Sequence, residues 1–386
     1  MPVLVSELAV EGFRSIRRAR VTLAPLCALV GEPETGKSNL LAALRAVLDP
    51  SAEPEPADVP RDEPRPMALE ATLGDGQSVR LTGSPGAITR SGGDAAPPVV
   101  YLPASARANS LVAPSDAPAA ALFRQAAPGG PEPMARTVQA ALDHELTGVM
   151  LLVEEPELHL RPQGQRLLYR LLRRFVEAGN QVVYATHAPA FLNAARLDEV
   201  VFVERLPAEG TRAGRAAPLT PDEDFRVLSE FDAERSELLL ARAALLVEGL
   251  TEKLAFPFVF AALGLDPDRE GVSLVECGGK ANIPLFARVC TAAGVPFVAV
   301  HDRDARSGKR PKLSERVLNA AVLEAAGRER TVVVEPDFEG IADLPGGARK
   351  PEQAWRRFAG LGADEMPEPL TRAVELVVAL ARGGAG

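Results

Sequence analysis

An octapeptide, GEPETGKS at residues 31–38, leaves few folds open to this chain. It follows the apolar run LCALV and precedes a segment in which Leu40, Leu41, Leu44, Val47 and Leu48 recur at helical spacing up to Pro50. It fits the pattern GxxxxGK[ST], and a buried strand before and a helix after are the context in which that pattern has a mechanism. Backbone N–H groups of such a loop converge on phosphate oxygens at the positive end of the helix. Gly31 and Gly36 then make the turn, Lys37 reaches the β- and γ-phosphates, and the Ser38 hydroxyl is the expected ligand of a nucleotide-bound Mg²⁺.

A strand that feeds such a loop belongs to an α/β sheet, and the chain supplies the alternation this needs. VMLLV (149–153), a helix over 163–178, QVVYA (181–185) and VVFV (200–203) predict a parallel, doubly wound sheet. ALEATL and QSVRLT flank Gly74-Asp75-Gly76 and predict a β-hairpin. Residues 83–98 and 103–133, rich in Ala, Pro, Gly and Ser, predict irregular loops around one strand, VVYL. A second α/β unit runs through the strands AALLV, VSLVE (272–276), VPFVAVHD (295–302) and TVVVE (331–335), then two helices, one around Trp355 and one with Leu370, Ala373, Val374, Val377 and Leu380 along a stripe. The expected organisation is an α/β phosphate-loop domain over 1–206, a linker over 207–240, a second α/β domain over 241–345 and C-terminal helices over 346–386.

VMLLVEEPE delivers two adjacent acids at the end of a strand, the edge at which open α/β sheets bind ligands. There Glu154 would hold the nucleotide's metal ion and Glu155 would polarise water. By themselves the two acids read equally as a solvated loop opening before Pro156. His187, at the end of QVVYA, is placed to meet a γ-phosphate, although a single histidine at a strand end is more often structural. In the second unit Glu248 and Glu252 follow one strand, and Asp302 and Asp304 end another at a spacing that points both the same way. Acids from two strand ends suit divalent cations, which prefer oxygen ligands and would stabilise the attacking and leaving oxygens of a phosphodiester. The competing reading is acids favouring a helix N-terminus and Asp starting turns.

Taken together, GFRSI, GKSNLLAAL, EEPELHLRPQ and THAP resemble the ABC-type ATPases of the RecF, SMC and OLD group over residues 1–206. VEGLTE, the Gly-Gly-Lys turn at 278–280 and HDRD resemble the Toprim domain over residues 241–345. An ABC-like ATPase followed by a Toprim domain is the architecture of OLD (overcoming lysogenization defect) nucleases. The resemblance implies ATP held by Gly31, Gly36, Lys37, Ser38, Asn39 and Glu154, with Glu155 and His187 acting on it. It also implies Mg²⁺ or Mn²⁺ at both sites, with Glu248, Asp302 and Asp304 as core ligands and Glu252 as a ligand of the OLD-like extension. Glu339, in EPDFEG, is a further ligand by this likeness, and Lys350, in RKPEQAW, would neutralise charge on the transferring phosphate. Two departures stand out. Pro33 occupies a loop position where Asn or Gly is usual, and no Ser-Gly-Gly signature precedes EEPE, Gly129-Gly130 being the nearest candidate. The long helical dimerisation insert is absent too.

The expected activity is therefore metal-dependent DNA cleavage governed by bound ATP, in phage defence or DNA repair, by a homodimer or higher oligomer, with room for a partner protein encoded elsewhere. Two alternatives are a nucleotide-dependent switch that cuts nothing and a primase-like nucleotidyl transferase. With 43 basic against 52 acidic residues and a net charge of −9, DNA contact is confined to patches, of which Arg303/Arg306/Lys309/Arg310/Lys312 and Arg14/Arg17/Arg18/Arg20 are the best. Cys27, Cys277 and Cys290 have no spacing for zinc or disulfides. Tyr101, Tyr169 and Tyr184 all lie in the first half, which disfavours a self-contained topoisomerase. No basic leader or long apolar run is seen, so the expected location is cytoplasmic and off the membrane.

Overall fold

The structure is a computed structural model. It describes residues 4–60, 66–92, 94, 96–104, 133–206, 210–217, 235–304, 312–344 and 349–383. The chain divides into two compact units, residues 1–217 and 218–386.

Two sheets build the first unit. One is antiparallel and contains Val5–Phe13 (β1), Ile16–Thr22 (β2), Met67–Leu73 (β4), Ser78–Ser84 (β5) and Ala87–Ser91 (β6) in the order β2-β1-β4-β5-β6. The other contains Leu26–Val30 (β3), Val99–Leu102 (β7), Met150–Glu154 (β8), Gln181–Ala185 (β9), Val200–Leu206 (β10) and Gly210–Arg215 (β11) in the order β11-β10-β3-β9-β8-β7. It is parallel except for β11, which runs antiparallel to β10. Helix Lys37–Leu48 (α1) shares one buried cluster with both sheets, its Leu40, Leu41, Leu44 and Val47 meeting Leu8, Val10 and Leu69 from one and Leu29, Leu152 and Val183 from the other. The helical spacing in the sequence is thus a two-sided core helix, which a parallel sheet buried on its faces requires. Gln181, fully buried, ties the sheets by accepting from the Val5 amide at 2.7 Å and donating to Val5 O and Ala24 O at 2.9 and 3.0 Å. Helices Pro133–Asp143 (α2) and Pro162–Glu177 (α3) complete the unit.

The second unit is a four-stranded, wholly parallel sheet of Ala243–Val247 (β12), Val272–Glu276 (β13), Phe297–Asp302 (β14) and Thr331–Val334 (β15) in the order β13-β12-β14-β15. Around it lie helices Leu250–Ala262 (α4), Ile283–Ala293 (α5), Leu313–Ala326 (α6), Lys350–Phe358 (α7) and Glu368–Ala381 (α8). Ala243, Leu245 and Val247 join a cluster with Phe256 and Phe260 of α4, Phe358 of α7 and Leu370, Val374 and Val377 of α8. The alternate residues Ala244 and Leu246, equally buried, face the other way, since successive strand side chains point to opposite faces. The two C-terminal helices, expected beyond the sheet-forming segment, therefore close its core.

Two segments depart from expectation. Residues 87–91 and 210–215 form edge strands where loop and linker were expected. Neither presents an apolar alternation, because an edge strand gains its order from a neighbour's backbone groups rather than from its own burial. The expected hairpin forms as β4 and β5 and belongs to a five-stranded antiparallel sheet beside the doubly wound one. The Gly129-Gly130 candidate, most of the 103–133 stretch and residues 218–234 lie outside the described residues.

Candidate functional sites

In the first unit the phosphate loop lies at the C-terminal end of β3, between the ends of β9 and β10. A cleft of about 430 Å³ is lined by Gly36, Lys37, Ser38, Asn39, Glu155 and His187, joined by Arg205 from β10. Gly36 sits at φ 111° and an added Cβ would stand 2.4 Å from Thr211 Oγ1, so only glycine fits. Gly31, at φ 153°, would place a Cβ 2.0 Å from the Val203 carbonyl oxygen. Lys37 is buried, and its ammonium donates to Gly31 O at 2.9 Å and Glu32 O at 2.7 Å. Burial lowers its pKa, against the pull of Glu155, Glu157 and Glu32.

The motif GFRSI acquires a physical role here. Asn39 Nδ2 donates to Ser15 Oγ at 2.7 Å, Ser15 Oγ lies 3.0 Å from Thr211 Oγ1, and Thr211 donates to Thr35 O at 2.9 Å. The β1–β2 turn and β11 thereby brace the phosphate loop from outside. His187 is set by Glu157, whose carboxylate accepts from the His187 amide at 2.7 Å and from Thr186 Oγ1 at 2.9 Å. Burial, and then Lys37 nearby, lower the His187 pKa, which keeps the imidazole neutral. Glu154 does not line the cleft. Its carboxylate accepts from the Ala104 amide at 3.2 Å. Burial and this neighbouring carboxylate push the Tyr101 phenol well above its usual pKa.

In the second unit, Glu248 follows β12 and Asp302 ends the adjacent β14. The Asp302 amide donates to Glu248 Oε1 at 2.7 Å, and Asp302 Oδ1 accepts from the Phe338 amide at 2.9 Å. Glu252 Oε2 accepts from Gly249 N at 3.1 Å, one turn into α4. Desolvation, then Glu248, Glu252, Asp304 and Glu339, push Asp302 to about 8. Desolvation, with Glu248 and Glu339 adding to it, pushes Glu252 to about 7. Burial also raises Glu248. The expected acids are therefore within electrostatic reach of one another. Asp304 arrives differently from expectation: β14 stops at Asp302, and a left-handed turn with Asp304 at φ 54°, not strand alternation, carries its carboxylate to the group.

Two cations enter the cluster. Lys280 hydrogen-bonds Asp304 and lies 3.4 Å from Glu315 Oε2 and 3.8 Å from Glu248 Oε1. Lys350 pairs with Glu339. Among the described residues no three His, Cys, Asp or Glu groups converge closely enough to hold an ion as they stand. The donor chemistry nevertheless fits a hard divalent cation: among the described residues, Glu248, Glu252, Asp302, Asp304, Glu315 and Glu339 are met by ion pairs from Lys280 and Lys350, an excess of carboxylate oxygen that divalent charge would relieve.

The basic patches resolve unevenly. Arg14 pairs with Asp58 of a neighbouring helical turn at 2.7 Å, Arg18 with Glu11 at 3.0 Å and Arg20 with Glu7, so much of the N-terminal cluster is neutralised within its own unit. Arg303 pairs with Glu335, while Arg306, Lys309 and Arg310 lie outside the described residues. The fold adds residues that were not among the expected site groups: Lys280 and Glu315 in the acid cluster, and Ser15, Thr211, Glu157 and Arg205 around the cleft. Three of them lie in motifs the sequence displays: Ser15 in GFRSI, Glu157 as the last acid of EEPE and Lys280 in the Gly-Gly-Lys turn.

Known families match parts of both units. Residues 239–304 match the family described as overcoming lysogenization defect protein-like, TOPRIM domain. Residues 118–193 match an AAA domain family whose description names the AbiEii toxin of a type IV TA system, and residues 3–57 match a protein family of unknown function. The chain is 32% identical over 247 residues to the OLD nuclease of Thermus scotoductus, covering 59% of this chain and 47% of that one. It is 25% identical over 167 residues to the Old nuclease of Escherichia phage P2, covering 41% and 28%. The chain thus spans about half the length of the first of these relatives and less of the second. A solved C-terminal region of the Burkholderia pseudomallei OLD protein aligns with 36% of this chain and 98% of its own, at 20% identity and a TM-score of 0.30. No helix among the described residues is long and apolar enough to cross a membrane.

Proposed function

We propose that this chain, an OLD-like pairing of an ABC-type ATPase unit with a Toprim unit, is a divalent-metal-dependent DNA endonuclease whose cutting is governed by bound ATP. The observation that carries the reading is the 2.7 Å hydrogen bond from the Asp302 amide to Glu248, which joins the acidic ends of two neighbouring parallel strands. Glu248, Glu252, Asp302, Asp304 and Glu339 would hold Mg²⁺ or Mn²⁺. When bound, such ions supply electrostatic stabilisation to the attacking and leaving oxygens of a phosphodiester. The chain's own groups do the positioning: the Asp302 and Phe338 amides orient the two central carboxylates. Lys350, about half exposed beside Glu339, is accessible to a phosphate. In the first unit the loop amides, Lys37 and Ser38 would hold the ATP phosphates and their Mg²⁺, with Asn39, Glu155 and His187 around them.

Relatives named OLD nuclease support DNA as the substrate and cleavage as the outcome. A homodimer or higher oligomer, a partner protein encoded elsewhere, a cytoplasmic location and a role in phage defence or DNA repair belong to the same proposal. Purified protein should nick or linearise plasmid with Mg²⁺ or Mn²⁺, with a rate that responds to ATP, and Asp302→Ala should abolish it. Persistent cutting by that variant overturns the site.

One observation favours a second reading, a nucleotide-dependent switch that binds DNA or protein without cutting. Glu154, expected to hold the nucleotide's metal ion, is engaged with the Ala104 amide and lies off the cleft. Intact plasmid in Mn²⁺, together with ATP-dependent dimerisation lost in Lys37→Ala, would put the switch in place of the nuclease.

A further inference from the structure

Lys280 opens a short helical turn, Lys280–Asn282, ahead of α5, and only 4% of its side chain is exposed. Gly278 and Gly279, at φ 72° and 120°, turn the chain so that this lysine enters the acid pocket. Its ammonium is within hydrogen-bond or ion-pair reach of Asp304, Glu315 and Glu248, one carboxylate for each of its three donors. Burying an ammonium is unfavourable unless its charge is matched, so a lysine sunk among three acids serves those acids. Two of them, Glu248 and Asp304, are groups that the proposed function assigns to divalent cations, and the inference rests on that reading. The third, Glu315, lies in the first turn of α6 and is not among those ligands. Among the described residues no three acids converge on a point that would hold an ion, and the position that Glu248 and Asp304 share belongs to the ammonium instead.

We infer that Lys280 is a tethered placeholder cation: its ammonium keeps Glu248 and Asp304 assembled when no divalent ion is bound, and an entering ion displaces it toward solvent, leaving Glu315 as its remaining partner. Without such a charge, carboxylates this close would repel one another apart. An ion of twice the charge, coordinated at shorter distance by the same oxygens, outcompetes the ammonium. Lys280 is thus a positioning residue that lowers metal affinity while protecting the metal-free fold, the opposite of what a ligand or a simple structural lysine does.

The test is Mn²⁺ binding to the full chain without nucleotide, followed by loss of the free-ion electron paramagnetic resonance signal, with Asp302→Ala assigning the binding to this pocket. Lys280→Met, lacking the internal competitor, should bind Mn²⁺ at least about tenfold more tightly than the unaltered chain. Its Tm in chelator should be roughly 5–10 °C lower, because the acids lose their buried partner, and should recover on adding Mn²⁺. A second measurement needs no variant: an amine-acylating reagent read by mass spectrometry should modify Lys280 severalfold faster in Mn²⁺ than in chelator, relative to Lys253. Asp302-dependent Mn²⁺ binding with no gain in Lys280→Met, or with Lys280 equally protected in both conditions, overturns the placeholder and leaves the metal site standing. No Asp302-dependent binding in either protein overturns both.

Discussion

The amide of Asp302 donates to the carboxylate of Glu248 at 2.7 Å, joining residues 54 apart in sequence at the ends of two parallel strands. Each carboxylate accepts from a backbone amide, Glu248 from Asp302 and Asp302 from Phe338. Burial raises the pKa of both, and at Asp302 the nearby Glu248 adds to it. A pocket of this kind binds protons when it binds no metal.

Asp302→Asn keeps the size of the side chain and an acceptor for the Phe338 amide while removing the charge. Metal-dependent plasmid nicking should fall at least about 100-fold. The chelator-state Tm should hold or rise slightly, since a neutral amide replaces a carboxyl that burial already disfavours in its ionised form. Nicking at the unaltered rate, measured on agarose gels, would falsify the assignment of Asp302.

The pH response follows from the same groups. Asp302 rises from an ordinary 3.8 to about 8 and Glu252 from 4.5 to about 7 on folding. Between those limits the folded chain binds protons that the unfolded chain has already released, so stability declines as pH rises. In chelator, denaturant unfolding should give a stability about 1–3 kcal/mol lower at pH 8 than at pH 6 from these groups. Mn²⁺ should remove most of that decline, because ligation favours the ionised carboxylates, and its binding at pH 7 should release protons to the buffer. The same slope with and without Mn²⁺ would exclude these carboxylates as ligands.

Glu157 accepts both from Thr186 Oγ1 and from the His187 amide. Glu157→Ala leaves both donors without that partner and should cost the first unit about 1–3 kcal/mol in urea unfolding. Glu157→Gln retains one carbonyl acceptor and should cost less. An alanine variant as stable as the unaltered chain would mean that His187 is held by other contacts.

Gly36→Ala adds a Cβ 2.4 Å from Thr211 Oγ1 on a backbone at φ 111°. The strained loop should lose about 1–3 kcal/mol of stability, and binding of a fluorescent ATP analogue should weaken at least tenfold. Removing the hydroxyl as well, in Gly36→Ala/Thr211→Ala, relieves the contact but not the torsion, so binding should recover only in part. Unaltered affinity in the single variant would place the phosphates elsewhere.

Much of this was legible from the order of residues. Strands such as LCALV and AALLV are buried on both faces of a parallel sheet and are apolar throughout, so composition alone reveals them. The phosphate loop was legible because its glycines answer a local torsional demand. The edge strands 87–91 and 210–215 were not, since their order comes from a partner's hydrogen bonds. Asp304 was expected in the cluster for a reason that failed, the alternation of a strand that ends two residues earlier.

Local chemistry settled which elements form, where the phosphate loop lies and which acids stand at strand ends, because backbone torsion, side-chain period and burial act over a few residues. Lys280 entering among Glu248, Asp304 and Glu315, Glu154 turning to the Ala104 amide and Thr211 bracing the loop at Gly36 were settled by folding alone. Each depends on a distance between residues far apart in the chain. Such distances come from packing and charge across neighbouring strands and turns, for which sequence spacing carries no measure.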